Sequence, residues 1–448
     1  MNAAPQADHD RRVAAVAARV RDLAARRQRA HIDKGGVHHV VPLPEGDERF
    51  RSERVDASGL NRILEIDPEL GICVAEPGVT FAEAVAATLP YRLVPAVVPE
   101  LEGITLGGAV AGCSVESSSF RYGGFHDTCL EYEVVTGDGE VLTCSRDDEP
   151  FLFDMVHGSY GTLGVLSRLT FRLIPAEPYV RVEYEHHPDA RSFHQALLER
   201  CEAGDADFLD GIAHSREHWT ICVGRFVETA PRASSYRWLN VYYKSTRRLR
   251  TDHLTTPDYL FRYDTEAHWL SRTVPPLEWK AVRFLAGRAF LGSTNMIRWS
   301  KRLAPVFRRI RTRPDVVCDY FIPARRVTEL YEWYLEEMPY FPLWVVPYRI
   351  PQVYPWLSDE HAGRFEGDLF MDVAVYGMRN EERDIDRSQQ LEEKAFELGG
   401  IKTLISRNHY SPERFWSIYH RANYQKAKER LDPSGVFPDL YEKLGRVG

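Results

Sequence analysis

What this sequence lacks narrows what it can be. No run of about 18 apolar residues occurs in its 448 positions, so no membrane-spanning helix is expected. The seven cysteines, Cys73, Cys113, Cys129, Cys144, Cys201, Cys222 and Cys318, are scattered, odd in number and contain no C-x-x-C pair. That argues against a disulfide framework and against a zinc cluster, and fits small buried hydrophobes in a reducing cytoplasm. Positive charge is in deficit: 57 Lys and Arg stand against 65 Asp and Glu, a net charge of −8, so no overall basic field is present to hold nucleic acid. The G-x-G-x-x-G of a dinucleotide fold is absent, which leaves an ordinary NAD-binding domain unsupported. The first thirty residues have no apolar h-region of a signal peptide, and Val13, Val16, Val20 and Leu23 recur there at helical spacing. They read as an amphipathic helix on a cytoplasmic protein.

What is present describes a folded chain too long for one core. Hydrophobic residues make up 44% and charged residues 27%, ordinary values for a globular protein, and the length predicts two domains. Residues 31–177 read as short strands, tight turns and a few helices. Gly71–Gly78 is a strand running into a turn, and Thr80 with Glu83 forms a T-x-x-E capping box that opens a helix through Thr88. Glu131–Thr136 and Glu140–Cys144 flank Gly137-Asp-Gly139 as a hairpin, and Leu166–Ile174 is a further strand. The Pro175–Pro178 stretch marks a domain boundary. From 178 to 400 strand-like runs (Val180–Tyr184, Trp219–Val223, Pro342–Ile350, Leu369–Tyr376) mix with helices at 192–199 and 327–337, as in an antiparallel sheet with flanking helices. Residues 401–448 form a C-terminal segment. There Ser411 caps a helix with Pro412 at its first position, and the helix is predicted to continue to Leu431 before Asp432-Pro433.

Three glycine-rich segments carry the chemistry. Ile104–Gly123 holds Gly107, Gly108, Gly112 and Gly123 among several serines. So much glycine weakens a helix or strand interior, but it lets backbone amides approach spread negative charge such as a pyrophosphate. Gly161-Thr-Leu-Gly-Val165 and Lys34-Gly-Gly-Val-His-His39 are the others, each of which alone could be a turn.

Taken with Leu60–Asp67, Val74–Thr80, Thr105–Gly108, Arg121–Gly123 and Gly137–Gly139, these segments resemble the FAD-binding PCMH-type domain of the vanillyl-alcohol-oxidase superfamily. Val98-Pro-Glu-Leu101, Val115–Ser119, Pro347–Pro351, Asp372–Gly377, Phe415-Trp416 and Val436–Tyr441 are similar to the Δ24-sterol reductases (seladin/DIMINUTO proteins). The resemblance spans roughly 30–445 and implies an α/β (α+β) fold, a two-subdomain FAD-binding domain plus a cap. It assigns Gly35, Gly36, Val37 and His38 to the pyrophosphate, and Thr105, Gly107, Gly108, Gly112, Ser114 and Ser118 to the pyrophosphate and ribityl chain. Tyr122 and Gly123 fall near the flavin, and Gly161, Gly164 and Val165 on the adenine side. His38 lies near the position where many superfamily members attach FAD covalently, whereas the sterol reductases hold it non-covalently, and non-covalent FAD is the expectation here. The N-terminal membrane anchor of the sterol reductases has no counterpart among these residues.

The resemblance implies reduction of a carbon–carbon double bond in a sterol, terpenoid or polyprenyl-like substrate, with NADPH as reductant. Hydride would come from flavin N5 and a proton from a protein acid. The cluster Arg407-Asn408-His409-Tyr410, just before the capped helix, supplies the first candidates: His409 or Tyr410 as donor, Asn408 and Arg407 orienting. The same residues could simply satisfy a polar helix entry. Glu116 is the second candidate, or a salt-bridged carboxylate; Tyr376 and Lys426 follow. An alcohol oxidase or dehydrogenase of the same superfamily, and a non-catalytic binding protein, are the alternatives. No metal is expected. Residues 298–313, rich in Arg and interleaved with apolar residues, read as a peripheral membrane contact or a solvated helix face. A homodimer is a further expectation, since homodimers are common among such flavoproteins.

Overall fold

A computed structural model describes residues 3–35 and 51–444, apart from 274, 297, 300–301, 303–312 and 383. The assignments to Gly36, Val37 and His38, and most of the 298–313 stretch, lie outside the described residues.

The chain opens with the helix Ala3–Ala25, which buries Val13, Val16, Ala17, Val20 and Leu23. It is pinned by charge as well as by its apolar stripe. His9 is buried between Glu76 (2.8 Å) and Glu133 (3.0 Å), and Arg12 reaches Glu76 at 2.7 Å. A parallel pair, Ala30–Asp33 with Glu53–Asp56, follows. The main sheet of this half runs Ile63–Asp67, Ile72–Ala75, Val165–Pro175, Cys129–Val135 and Val141–Ser145, with Leu93–Pro95 also paired to the long third strand. The capping box forms as the sequence predicts: Thr80 N–H donates to Glu83 at 2.8 Å and Glu83 N–H to Thr80 Oγ1 at 3.2 Å, opening the helix Phe81–Thr88.

At Tyr179 the chain enters a second, eight-stranded sheet. Its order is Thr251–Thr255, Tyr179–His187, His218–Val227, Phe208–Ser215, Leu343–Arg349, Leu369–Met378, Val316–Pro323 and Ile401–Lys402, antiparallel throughout. Residues directly opposite in such a sheet share a face, and alternate residues along a strand change face. The register therefore sorts the side chains. Trp219, Ile221, Val223, Leu209, Val345, Val373, Val375 and Tyr320 share one face and pack with Phe193, Leu197, Leu330, Tyr331 and Leu391 of the helices Ala190–Ala203, Val327–Glu337 and Arg387–Glu397. Asp210, Trp344, Asp372, Tyr376 and Asp319 share the other, whose Ile212, Trp344, Val346 and Ala374 join one core with the first half.

One sequence expectation fails. The helix predicted from Pro412 to Leu431 is two helices, Pro412–Ile418 and Arg421–Leu431. The break falls where the backbone is claimed by another segment: Ile418 C=O accepts from Ser358 N–H, and His420 N–H donates to Trp356 C=O, both at 2.8 Å. Tertiary hydrogen bonds override a continuous helical pattern. The end of the chain returns to the first half. Ala30 N–H donates to Val436 C=O at 2.8 Å, Gly137 N–H to Leu431 C=O at 2.7 Å, and Lys428 Nζ to Thr162 C=O at 2.6 Å.

Candidate active site

Two groups of residues meet where the polar sheet face turns toward the first half. The first surrounds the helix Leu106–Gly112. Thr105 caps it, accepting from Gly108 N–H at 3.3 Å, and Lys34 Nζ lies 3.4 Å from the same hydroxyl. Burial pushes Lys34 below its usual range, and among the described residues no carboxylate pairs with it. A desolvated cation beside a hydroxyl at a helix start fits an anionic ligand such as a pyrophosphate.

The glycines divide by role. The amides of Leu106, Gly107 and Gly108 are already engaged, by Val79 C=O, Pro77 C=O and Thr105 Oγ1, so none of the three is free for a phosphate. A Cβ on Gly107 would sit 2.5 Å from Pro77, so this glycine serves close packing. Gly112 by contrast has nothing nearer than Tyr160 at 3.9 Å and lines a cavity with Cys113, Gly158, Tyr160 and His126 from the first half. Phe321, Tyr348, Thr403, Leu404, Trp416 and Tyr419 close it from the other side. That slot is walled by glycine backbone on one side and aromatic rings on the other and encloses about 60 Å³, so the rings must move apart to admit a flat ring system. Ser118 is buried with its hydroxyl donating to Ala96 C=O at 2.8 Å, and Ser114 C=O accepts from Phe125 N–H at 2.9 Å. Tyr122 packs on the core and Gly123 (φ +76°) lies against Asp127; Gly35 (φ +68°) faces Ser58. Gly161 (φ +69°) faces Ile32, and Gly164 fits against Val134 and the Val135 carbonyl, beside buried Val165.

The second group is a buried polar tract that sequence reasoning did not find, apart from Tyr376 and Glu116. Glu100, in the turn before the glycine helix, accepts from His268 Nδ1 at 3.0 Å. Burial resists the charge on Glu100, but that hydrogen bond prevails and holds its carboxyl below the usual range. Burial pushes His268 below its ordinary value, against the pull of Glu100. The imidazole is therefore neutral near pH 7, and its Nε2 is buried with no hydrogen-bond partner. His268 sits in an aromatic box, stacked on Tyr263 at 4.4 Å and edge-on to Trp344 at 4.3 Å and Tyr376 at 4.7 Å. Its backbone is left-handed, as are those of Ala267 and Trp269 on either side (φ 46°, 51° and 53° from Ala267 to Trp269). Three consecutive non-glycine residues in that region carry about 1–2 kcal/mol of strain each.

Tyr376 donates to Asp319, which also accepts from Thr403 at 3.2 Å, so the tract reaches the cavity wall. Asp372, on the same face, has one carboxyl oxygen with no partner, and burial beside Asp319 and Glu100 raises its pKa well above the ordinary range. Burial and the neighbouring carboxyls thus favour the protonated form of Asp372. Sequence offered one signal for these residues: Asp319 and Asp372 are lone carboxylates inside runs that otherwise read as core strands.

The catalytic candidates named from the sequence separate. Glu116 is committed to Arg262 Nη2 at 2.9 Å, with Asp210 3.5 Å away on the same guanidinium and all three buried. It is a buried tie between the halves rather than a free acid. Arg407, His409 and Tyr410 are braced against the Arg387–Glu397 helix and its cap: Arg407 to Asp386 at 2.8 Å, His409 to Ser388 at 3.3 Å, Tyr410 to the Glu392 carbonyl at 3.3 Å. Asn408 is fully buried with an unpartnered Nδ2. Tyr410 also joins the core shared with the first half, and Lys402, which donates to Arg407 C=O at 2.6 Å, lines the cavity. Lys426 is exposed, its Nζ 4.6 Å from the Phe151 ring centroid.

Residues 11–145 match the family of FAD binding domains. The chain is thus an FAD-binding protein of the oxidoreductase class, with a sheet-rich cap on a PCMH-type domain. Within that class it is similar to the Delta(24)-sterol reductases. It is 26% identical to the Homo sapiens protein over 396 residues, 85% of this chain and 76% of that one. The Arabidopsis thaliana protein is 26% identical over 437 residues, 88% and 77% of the two chains. Cytokinin dehydrogenase 6 of Oryza sativa subsp. japonica is 30% identical over 196 residues, 43% of this chain and 32% of that protein.

Proposed function

We propose that the protein reduces a carbon–carbon double bond in a hydrophobic sterol, terpenoid or polyprenyl-like molecule, with NADPH as the electron source and FAD bound non-covalently. The observation that carries this reading is the extent of the similarity: the likeness to proteins called Delta(24)-sterol reductases takes in 85% of the chain, well past the FAD-binding match and into the cap. Lys34 and Thr105 would hold the phosphates, and the Gly112–Tyr348 slot the ring. The bound flavin supplies the hydride. The chain supplies the rest. Asp372, a buried carboxyl with a free oxygen whose surroundings favour its protonated form, lies on the sheet face turned toward the FAD-binding half and would serve as the proton donor. The aromatic box of Tyr263, Trp344 and Tyr376 excludes water and offers an apolar wall.

A second reading has one observation in its favour. Glu100 and His268 form a dyad whose free Nε2 accepts rather than donates, and such a base suits removal of a proton from an alcohol. Anaerobic titration separates the two. Bleaching of the flavin absorbance by NADPH, followed by reoxidation with a prenyl or sterol alkene and one equivalent of saturated product, is the expected result. Bleaching by primary or secondary alcohols instead, with hydrogen peroxide formed in air, would establish the oxidase. Colour that stays with acid-precipitated protein would show a covalent flavin.

A further inference from the structure

The helix Lys280–Phe290 has its polarity inverted. Its Arg283 is fully buried, with Nε donating to Trp238 C=O at 2.6 Å and Nη2 to Asn240 C=O at 3.3 Å. Its Phe284 and Leu285 are 60% and 83% exposed, and Trp279, at the helix start, is 62% exposed. Trp238 stacks on Phe284 at 5.4 Å and is itself 39% exposed. A water-facing helix places apolar residues inward and charge outward; at 283–285 this one does the reverse.

Charge identifies what covers it. From Trp279 to Arg313 the sequence contains ten Lys and Arg and no Asp or Glu, in a chain whose net charge is −8. Among the described residues of that stretch, Lys280, Arg298 and Arg302 are exposed, as is Trp299. We infer that this surface docks on an anionic phospholipid bilayer, with Phe284, Leu285 and Trp279 entering the headgroup–acyl boundary and Lys280, Arg298 and Arg302 meeting lipid phosphates. Apolar side chains flanked by unbalanced positive charge are what such a surface retains. A second copy of this chain would set the exposed Lys280, Arg298 and Arg302 of each against the other, which like-charge repulsion disfavours. The docking helix follows directly on the segment that carries His268, so lipid contact and the polar tract share one arm of the chain. This inference does not rest on the identity of the substrate.

The test is flotation of the FAD-loaded protein with vesicles of phosphatidylcholine alone or with one quarter phosphatidylglycerol. Binding to the anionic vesicles only, weakened several-fold between 50 and 300 mM salt (roughly the range over which the screening length halves), is expected. Leu285→Asp and Phe284→Asp should each weaken it about tenfold, and Arg298→Gln with Arg302→Gln about threefold. Leu70→Asp, at a site 72% exposed in the first half, should change nothing. These side chains are at the surface, and unaltered thermal unfolding would show that the variants fold. Equal binding to both vesicle types, no binding to either, or a dimer that Leu285→Asp dissociates would each overturn the inference, the last in favour of a second copy.

Discussion

On one face of the eight-stranded sheet Trp219, Val345 and Val373 meet three helices through apolar contacts; on the other, Asp210, Asp319, Asp372 and Tyr376 meet the FAD-binding half. Both faces are buried, and both are built from the same strands. They differ in what burial achieves. The first face removes hydrocarbon from water and has no chemistry to offer. The second removes carboxyls from water with incomplete compensation, as the free Asp372 oxygen and the free His268 nitrogen show, and that costs stability. Incomplete satisfaction of this kind concentrates where protons are to be moved.

The contrast can be broken most forcefully at Trp219. Trp219→Ala should lower the unfolding free energy by about 3–5 kcal/mol, read from urea denaturation, while turnover per folded molecule stays unchanged. Lost turnover at full folding would mean the apolar face takes part in the chemistry. On the polar face the effects should exchange places. Asp372→Asn should slow turnover about a hundredfold, equivalent to roughly 2.7 kcal/mol in the barrier, without lowering the unfolding midpoint. A pure loss of stability with normal turnover would remove Asp372 from the proposed chemistry.

His9 sharpens the same comparison, being a buried polar group with both nitrogens satisfied. Burial opposes its charge, but hydrogen bonds to Glu133 and Glu76 outweigh it and raise its pKa to about 9. A raised folded-state value means the stabilisation is complete below about pH 6.5 and disappears as pH climbs through 9. Thermal melts should therefore show stability falling across that window by at most roughly 3.5 kcal/mol, and His9→Gln should flatten the fall. The smallest effect is expected at Ala267. Ala267→Gly relieves one left-handed residue and should add a few tenths to about 1 kcal/mol, while a slackened His268 lowers kcat more than it alters KM.

The FAD-binding half was legible because its signals are local. A capping box at Thr80 and a hairpin around Gly137–Gly139 can each be read from a few adjacent residues, and the glycines of Ile104–Gly123 stand out by their density. The cap's strands at 343–349 and 369–378 were equally legible as apolar runs. The polar tract was not, because it depends on sheet register and on contacts between distant segments: Glu100 meets His268, and Asp319 meets Tyr376, only after the sheet has formed. Arg407–Tyr410 was conspicuous for the opposite reason, as four polar residues in a row before a capped helix, whereas their contacts with the Arg387–Glu397 helix and with Lys402 could not be read from those residues.

The way the chain's end closes on its beginning has a consequence for biosynthesis. Gly137 is pressed so closely by Asp432 that a side chain there would collide with its carboxylate, and Val436 completes the edge at Ala30. The first half emerges from the ribosome early, yet these contacts are supplied by residues hundreds of positions further along the chain. Until those residues leave the tunnel the FAD-binding half stays open beside the cap sheet, so cofactor capture and closure should come together, late in folding.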